Sequence, residues 1–459
     1  MPENYSSRRR PARGRYSSGG RYSSRGRYSP RGRYSAGGRY PSGGPYSRPG
    51  PGIGRGILAA LIGGGIVVVA VVVALALTLL PGRSSPSARA TTTALPSGTC
   101  LSAAGVPLTL VVGERSNVPR VQYPSYLDNM VSTAAEDGQP ITLIRIDGSP
   151  KVLPLQQFNG SGYGTEAALQ AAVGSYVNGV FDILNGPDPR AVTPQADVLR
   201  ALTLASAQTP AGGNIIVIDS GLQTAGALLY QDQGTLMSPA SDVVQFLRQN
   251  SQGNLIPDLQ GRHVLLSGFG YAAEPQASLD QPEQQNVVDQ WKAIVTAGGA
   301  SVCVDPSANT QGELTGLPAV ATVPLPAPVF FNACGNTVLS DQGSVGFNDN
   351  ESTFRSPSLA QATLLQLAQK LKNGTETITL IGSTSSEGSE AHNYTLSGER
   401  AQAVAQVLEQ DGVHASRIRI VPDGPNYPGR VKDTGPDGQL ILSAAEQDRE
   451  VIVQLPQCT

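Results

Sequence analysis

Aromatic side chains make up only 5% of this 459-residue sequence, with a single Trp, and charged residues only 15%. Gly and Pro, 53 and 35 residues, occupy about a fifth of the chain. Such a composition excludes one large globule and requires linker or low-complexity stretches among roughly three units of about 150 residues. Histidine is nearly absent, and His263, His392 and His414 are scattered. The four cysteines show no Cys-x-x-Cys or Cys/His ligand spacing, so nothing suggests a zinc site, and no metal or cofactor is expected. Gly160, Gly162 and Gly164, like Gly268 and Gly270, lack the Gly-x-Gly-x-x-Gly spacing that brings pyrophosphate to a helix amino terminus, and they read as turns. There is no Gly-x-Ser-x-Gly elbow, and no nucleophile, base and orienting group fit a motif, so the chain reads as a non-enzyme.

Charge is unevenly spread. Residues 1–56 hold 13 Arg and a single acid, Glu3, which leaves 20 basic against 34 acidic residues beyond them. From Arg15 this segment repeats every six residues as RYSSGG, RYSSRG, RYSPRG, RYSAGG and RYPSGG. The repeat has no large aliphatic residue to bury, so ordering it has nothing to offset the entropy cost, and the segment is expected to be a disordered basic tail. Such a tail sets topology and touches anionic lipid; with no stacking platform or nucleic-acid-binding fold beside it, nucleic acid is not expected as a partner.

Ile57–Leu80 is 24 residues long and apolar but for Gly63–Gly65 and Thr78. At 1.5 Å per residue it reaches about 36 Å, enough for one transmembrane helix. The Arg excess before it places the amino terminus in the cytoplasm and the bulk of the chain outside. Cleavage after Ala74-Leu75-Ala76 is the competing reading, although the leader and the apolar run are both long for a signal. Residues 81–99, rich in Ser, Thr, Pro and Ala, read as a stalk. All four cysteines, Cys100, Cys303, Cys334 and Cys458, lie beyond it, as suits structural disulfides in an oxidising compartment. Three pairings are possible; closure within each domain, Cys100 with Cys303 and Cys334 with Cys458, is the favoured one.

Residues 100–325 alternate short apolar runs with amphipathic stretches. Strands are expected at Leu108–Val112, Ile141–Ile146, Ile215–Ile218, Val264–Ser267 and Ala300–Val304, and helices near 124–136, 165–184, 192–207, 240–250 and 283–297. Runs such as Ile215-Ile216-Val217-Ile218 suit strands covered on both faces, giving a doubly wound α/β domain. The segment NIIVIDSG at 214–221 resembles the middle strand of von Willebrand factor type A-like domains. That resemblance implies a divalent cation held by Asp-x-Ser-x-Ser after the first strand, a later Thr and an Asp after the middle strand. Thr165 and Asp219 stand near the last two positions, but Gly113-Glu114-Arg115-Ser116-Asn117 replaces the leading motif. The domain therefore reads as a metal-free structural relative with an unidentified protein partner.

Beyond residue 334 the expected order is β-α-β-α-β-β. Strands are read at Ser344–Phe347, Thr377–Ile381, Ile418–Val421 and Val451–Leu455, with helices at Leu359–Leu371 and Leu396–Gln410, an α+β sandwich over 335–459. Gly382-Ser383-Thr384-Ser385, then Gly388, then Asn393-Tyr394-Thr395-Leu396-Ser397-Gly398-Glu399-Arg400-Ala401 resemble the OmpA-like peptidoglycan-associating domain. Gly424-Pro425-Asn426-Tyr427-Pro428 and Asp448-Arg449-Glu450-Val451 resemble two later family segments.

The OmpA-like resemblance implies binding of the diaminopimelate side chain of a wall stem peptide, its carboxylate gripped by the Arg at position 400 and its ammonium by an Asp that here is Ser385. A neutral hydroxyl cannot neutralise an ammonium, which costs about ten- to a hundredfold in affinity. Glu387 and Glu390 are the nearby carboxylates; a modified ligand or a vestigial site are the alternatives. Thr384, Asn393 and Asn350 complete the expected site, Asn350 with an equal reading as a turn residue and Ser397 as part of a helix amino-terminal turn. Two function classes follow: a single-pass envelope protein of a bacterial plasma membrane that associates with peptidoglycan, or an extracytoplasmic adaptor with a relic site.

Overall fold

The computed structural model describes residues 100–457 apart from 103–104, 233, 306, 308–311 and 313. The expected tail, the apolar segment Ile57–Leu80, the stalk and Cys458 lie outside the described residues. Among the described residues no helix is long and apolar enough to cross a membrane.

The first part runs β1 (Leu108–Val112), α1 (Tyr126–Glu136), β2 (Ile141–Arg145), β3 (Lys151–Val152), α2 (Glu166–Leu184), α3 (Val198–Gln208), β4 (Asn214–Ile218), a 3-10 turn at Thr235–Met237, α4 (Ala240–Arg248), β5 (His263–Ser267), α5 (Gln281–Ala297) and β6 (Ser301–Val304). The strands form one sheet in the order β3-β2-β1-β4-β5-β6, parallel except for the short antiparallel edge strand β3. Every residue of β1 and β4 is buried, as an unbroken apolar run requires when both sheet faces are covered. On one face Val111, Ile215 and Leu266 pack against α3, α4 and α5, with Trp291 fully buried. On the other, Leu110, Leu143 and Ile216 pack against α1 and α2. Expected and observed elements agree closely except for β3, which was not expected, and α3, read from 192 but starting at Val198. The Asp197 carboxylate accepts from the Arg200 N–H at 3.0 Å and fixes the start there.

The second part comprises β7 (Asn336–Ser340), α6 (Pro357–Lys372), β8 (Ile378–Ser383), α7 (Glu390–Gln410), β9 (Ile418–Gly424), α8 (Leu442–Asp448) and β10 (Glu450–Gln454). Its sheet order is β7-β10-β8-β9, with β8 and β9 parallel and the other pairs antiparallel. Leu339, Leu380, Val451 and Val453 meet Leu364, Leu367, Val404 and Leu408 of the two long helices.

Three expectations are corrected here. The first strand is Asn336–Ser340, not Ser344–Phe347. Leu339 pairs with Val451 across the ladder, whereas Val345 and Phe347 are buried in a turn where the Phe347 N–H donates to Asp341 at 2.6 Å. Helix α7 starts at Glu390 rather than Leu396, because the Ser389 hydroxyl caps it by accepting from the His392 N–H at 3.3 Å. Finally, α8 stands between the last two strands, so the order is β-α-β-α-β-α-β.

The two parts lie within one compact unit. Leu440, Leu442 and Ala445, in and just before α8, belong to the apolar cluster that also contains Leu236, Met237 and Val243 of the α/β part. A disulfide joins Cys100 to Cys303 of β6, with 5.4 Å between Cα atoms. Cys334 is disulfide-bonded as well.

Candidate functional site

Strand β8 ends in Gly382-Ser383 and opens into the loop 384–389, which leads into α7. The strand and helix approach so closely at Gly382 that a Cβ there would overlap the Ser397 carbonyl oxygen. Ser397 is fully buried within α7, where its hydroxyl donates to the Tyr394 carbonyl at 2.9 Å and accepts from the Gly424 N–H at 3.0 Å. It is a tie between α7 and β9, not a residue of the helix's first turn. Asn393 shapes the loop by donating to the carbonyls of Ser385 at 3.2 Å and Glu387 at 2.7 Å.

Arg400, Ser385, Thr384, Asn393, Asn350 and Glu387 all line one cavity of about 330 Å³. Arg400 is 4% exposed. Its guanidinium carbon lies 5.1 Å from the centre of the Phe347 ring, Nε donates to the Glu351 carbonyl at 2.9 Å and Nη2 reaches the Asn348 carbonyl at 3.5 Å. Those are neutral partners. Among the described residues no carboxylate lies within ion-pair distance of Arg400, while burial pulls its pKa down from the ordinary Arg value. A buried cation paired only with carbonyls and a ring face, and opening on a cavity, has hydrogen-bonding capacity suited to an anion. The Thr384 hydroxyl is also buried there without a partner. Asn350 sits at the rim in a left-handed conformation, φ 55°, with its side-chain oxygen 2.7 Å from His392 Nε2.

The roles of several charged residues in and around this cavity were not legible in the sequence. Arg449 is buried and shared by three carboxylates: it pairs with Asp242, with Glu446 at 2.6 Å and with Glu387 at 3.4 Å. Arg355 pairs with Asp341 at 3.3 Å. Burial, reinforced by Asp242, pushes Glu387 up to about 8 despite Arg449; burial likewise raises Glu446 to about 8. Glu390 does not contribute. Its carboxylate accepts from Asn426 at 2.8 Å, away from the cavity lining.

In the α/β part, Asp219 at the end of β4 meets the guanidinium of Arg115. Nη1 pairs with one carboxylate oxygen and Nη2 donates to the other at 3.0 Å, both residues being buried. Thr165 caps α2, accepting from the Ala168 N–H at 3.2 Å. No cluster of three or more His, Cys, Asp or Glu suited to a metal occurs among the described residues.

The OmpA family model matches residues 346–439, a span that contains β8, α7 and β9 and the loop 384–389 of this site. The C-terminal part is thus an OmpA-family domain. The probable lipoprotein YiaD of Escherichia coli (strain K12) is 38% identical over 94 residues, which cover 20% of this chain and 42% of that protein. The chain therefore spans under half the length of that curated relative. Among solved structures, the peptidoglycan-associated lipoprotein from Burkholderia pseudomallei is 26% identical, covering 24% of this chain and 84% of that one, with a TM-score of 0.20. The OmpA-like domain of FopA1 from Francisella tularensis is 16% identical, covering 28% and 82%, with a TM-score of 0.21.

Proposed function

We propose that this protein is a non-catalytic component of the bacterial cell envelope that associates with peptidoglycan through its C-terminal domain. The observation that carries this reading is Arg400, a buried guanidinium without a carboxylate partner among the described residues, at the wall of a cavity whose lining includes all six residues expected from the sequence. The arrangement suits an anion, and the OmpA-like resemblance implies that this anion is the carboxylate of a diaminopimelate side chain in a wall stem peptide. Ile57–Leu80 serves as a single plasma-membrane anchor, with the basic tail on the cytoplasmic side against anionic lipid and residues 100–459 outside. The α/β domain acts as a metal-free von Willebrand A-like module that contacts another protein. The Arg115–Asp219 pair supports the metal-free reading, since a guanidinium already stands against the carboxylate that a cation would need.

Co-sedimentation of the detergent-solubilised full-length chain with purified peptidoglycan tests the reading. The wild type is expected in the wall pellet and Arg400→Ala in the supernatant. Equal pelleting of the two, or a wild type that stays soluble, removes the wall function and leaves the adaptor reading.

A further inference from the structure

The cavity beside Arg400 is not built by the C-terminal domain alone. Pro239, Ser241 and Asp242, at the start of α4 in the α/β domain, form part of its wall. Their position is fixed by packing, because Val243, the next residue, shares an apolar cluster with Leu440, Leu442 and Ala445 of the C-terminal domain. Polar contacts reinforce the junction: the Ser241 hydroxyl donates to Asp349 at 2.7 Å, and Asp242 pairs with Arg449.

The chemistry at this wall is unbalanced. Arg449 faces the buried Asp242 and Glu446 and the half-buried Glu387 at once, and one guanidinium cannot neutralise all three carboxylates. The surrounding charged and titratable groups do not remove the surplus: Asp341 is taken by Arg355, Asp349 adds a further acid, Arg400 is the anion-binding group, and His392 bonds Asn350. Such crowding of acids holds either protons or a cation. The buried, unpartnered Thr384 hydroxyl lines the same space. Ser385 carries no charge at the position where the OmpA-like resemblance expects an ammonium-binding Asp.

We infer that Asp242 of the α/β domain supplies, with Glu387, the carboxylate that position 385 lacks, completing a two-domain site for a zwitterionic amino-acid end whose carboxylate rests on Arg400 and whose ammonium rests on Asp242 and Glu387. This deepens the wall-binding reading and rests on it.

The test measures affinity of the full-length chain, in detergent, for two soluble probes: a stem tetrapeptide containing diaminopimelate, and the same peptide acetylated on the side-chain amine. The wild type is expected to favour the free amine by about ten- to a hundredfold. Asp242→Asn is expected to lose that factor for the free amine and to bind both peptides alike. Adding Ser385→Asp to Asp242→Asn should restore the preference, which also decides the case if the single variant lowers the melting temperature; no recovery there overturns the inference. If Asp242→Asn keeps the full preference while Arg400→Ala loses binding, the two-domain site is wrong and the wall reading stands. If Arg400→Ala binds like the wild type, or the wild type binds neither peptide, both are wrong.

Discussion

Replacing Arg115 with Met removes a buried cation while keeping an unbranched apolar chain of similar reach. Asp219, 1% exposed, then keeps the Gly221 N–H at 2.7 Å but loses both guanidinium contacts. Breaking a buried ion pair by deleting one partner costs about 3–5 kcal/mol, because the surviving charge is left without compensation. For a domain of about 200 residues each kcal/mol lowers the melting temperature by about 2–4 °C, so Arg115→Met should melt about 6–20 °C below the wild type. The pair itself contributes far less than this, since the desolvation of two charges offsets most of their attraction. Hence Arg115→Met/Asp219→Asn, which removes the orphaned charge and keeps an acceptor for Gly221, should recover most of the loss. Calorimetry at neutral pH on the wild type and the single and double variants reads the cycle. A single variant within about 1 kcal/mol of the wild type, or a double variant less stable than the single, refutes the reasoning.

Two further outcomes follow from the C-terminal domain. Gly382→Ala should destabilise it by about 1–3 kcal/mol, measured by urea unfolding, because the new methyl group meets the Ser397 carbonyl where β8 and α7 touch. Glu387 and Glu446 are both raised from 4.5 to about 8, so between those values the folded chain binds protons that the unfolded chain has released. Stability should therefore fall as pH rises from 6 to 8.5, and Glu446→Gln should flatten that slope; a denaturation midpoint that climbs over the same interval contradicts it.

Much of this architecture was readable because it follows from local pattern. Ile215–Ile218 announces a doubly covered strand by its composition, and Trp291 with Ile294 and Val295 announces a buried helical face. The spacing from Gly382 to Ala401 brought out Thr384, Ser385, Glu387, Asn393 and Arg400, and the segment around Asn350 a sixth, among the fifteen residues that line the cavity. What escaped was of two kinds. Apolar residues that plug a core without joining a sheet, Val345 and Phe347, imitate a strand, while β7 alternates buried and exposed residues too briefly to stand out. Contacts between distant residues leave no local trace: Asp242 and Arg449 are separated by 207 positions, and only the fold brings them together. Helix α8, seven residues long and without a side-chain cap, carried no signal of its own, although it joins the two halves.

The disulfide at the entrance to the α/β sheet has a mechanical consequence. Tension arriving through Cys100 passes covalently into edge strand β6 at Cys303, bypassing the loop that leads to β1. Under the membrane and wall attachment proposed above, load would be shared across the sheet, and the first strand shielded from being peeled away from its neighbours.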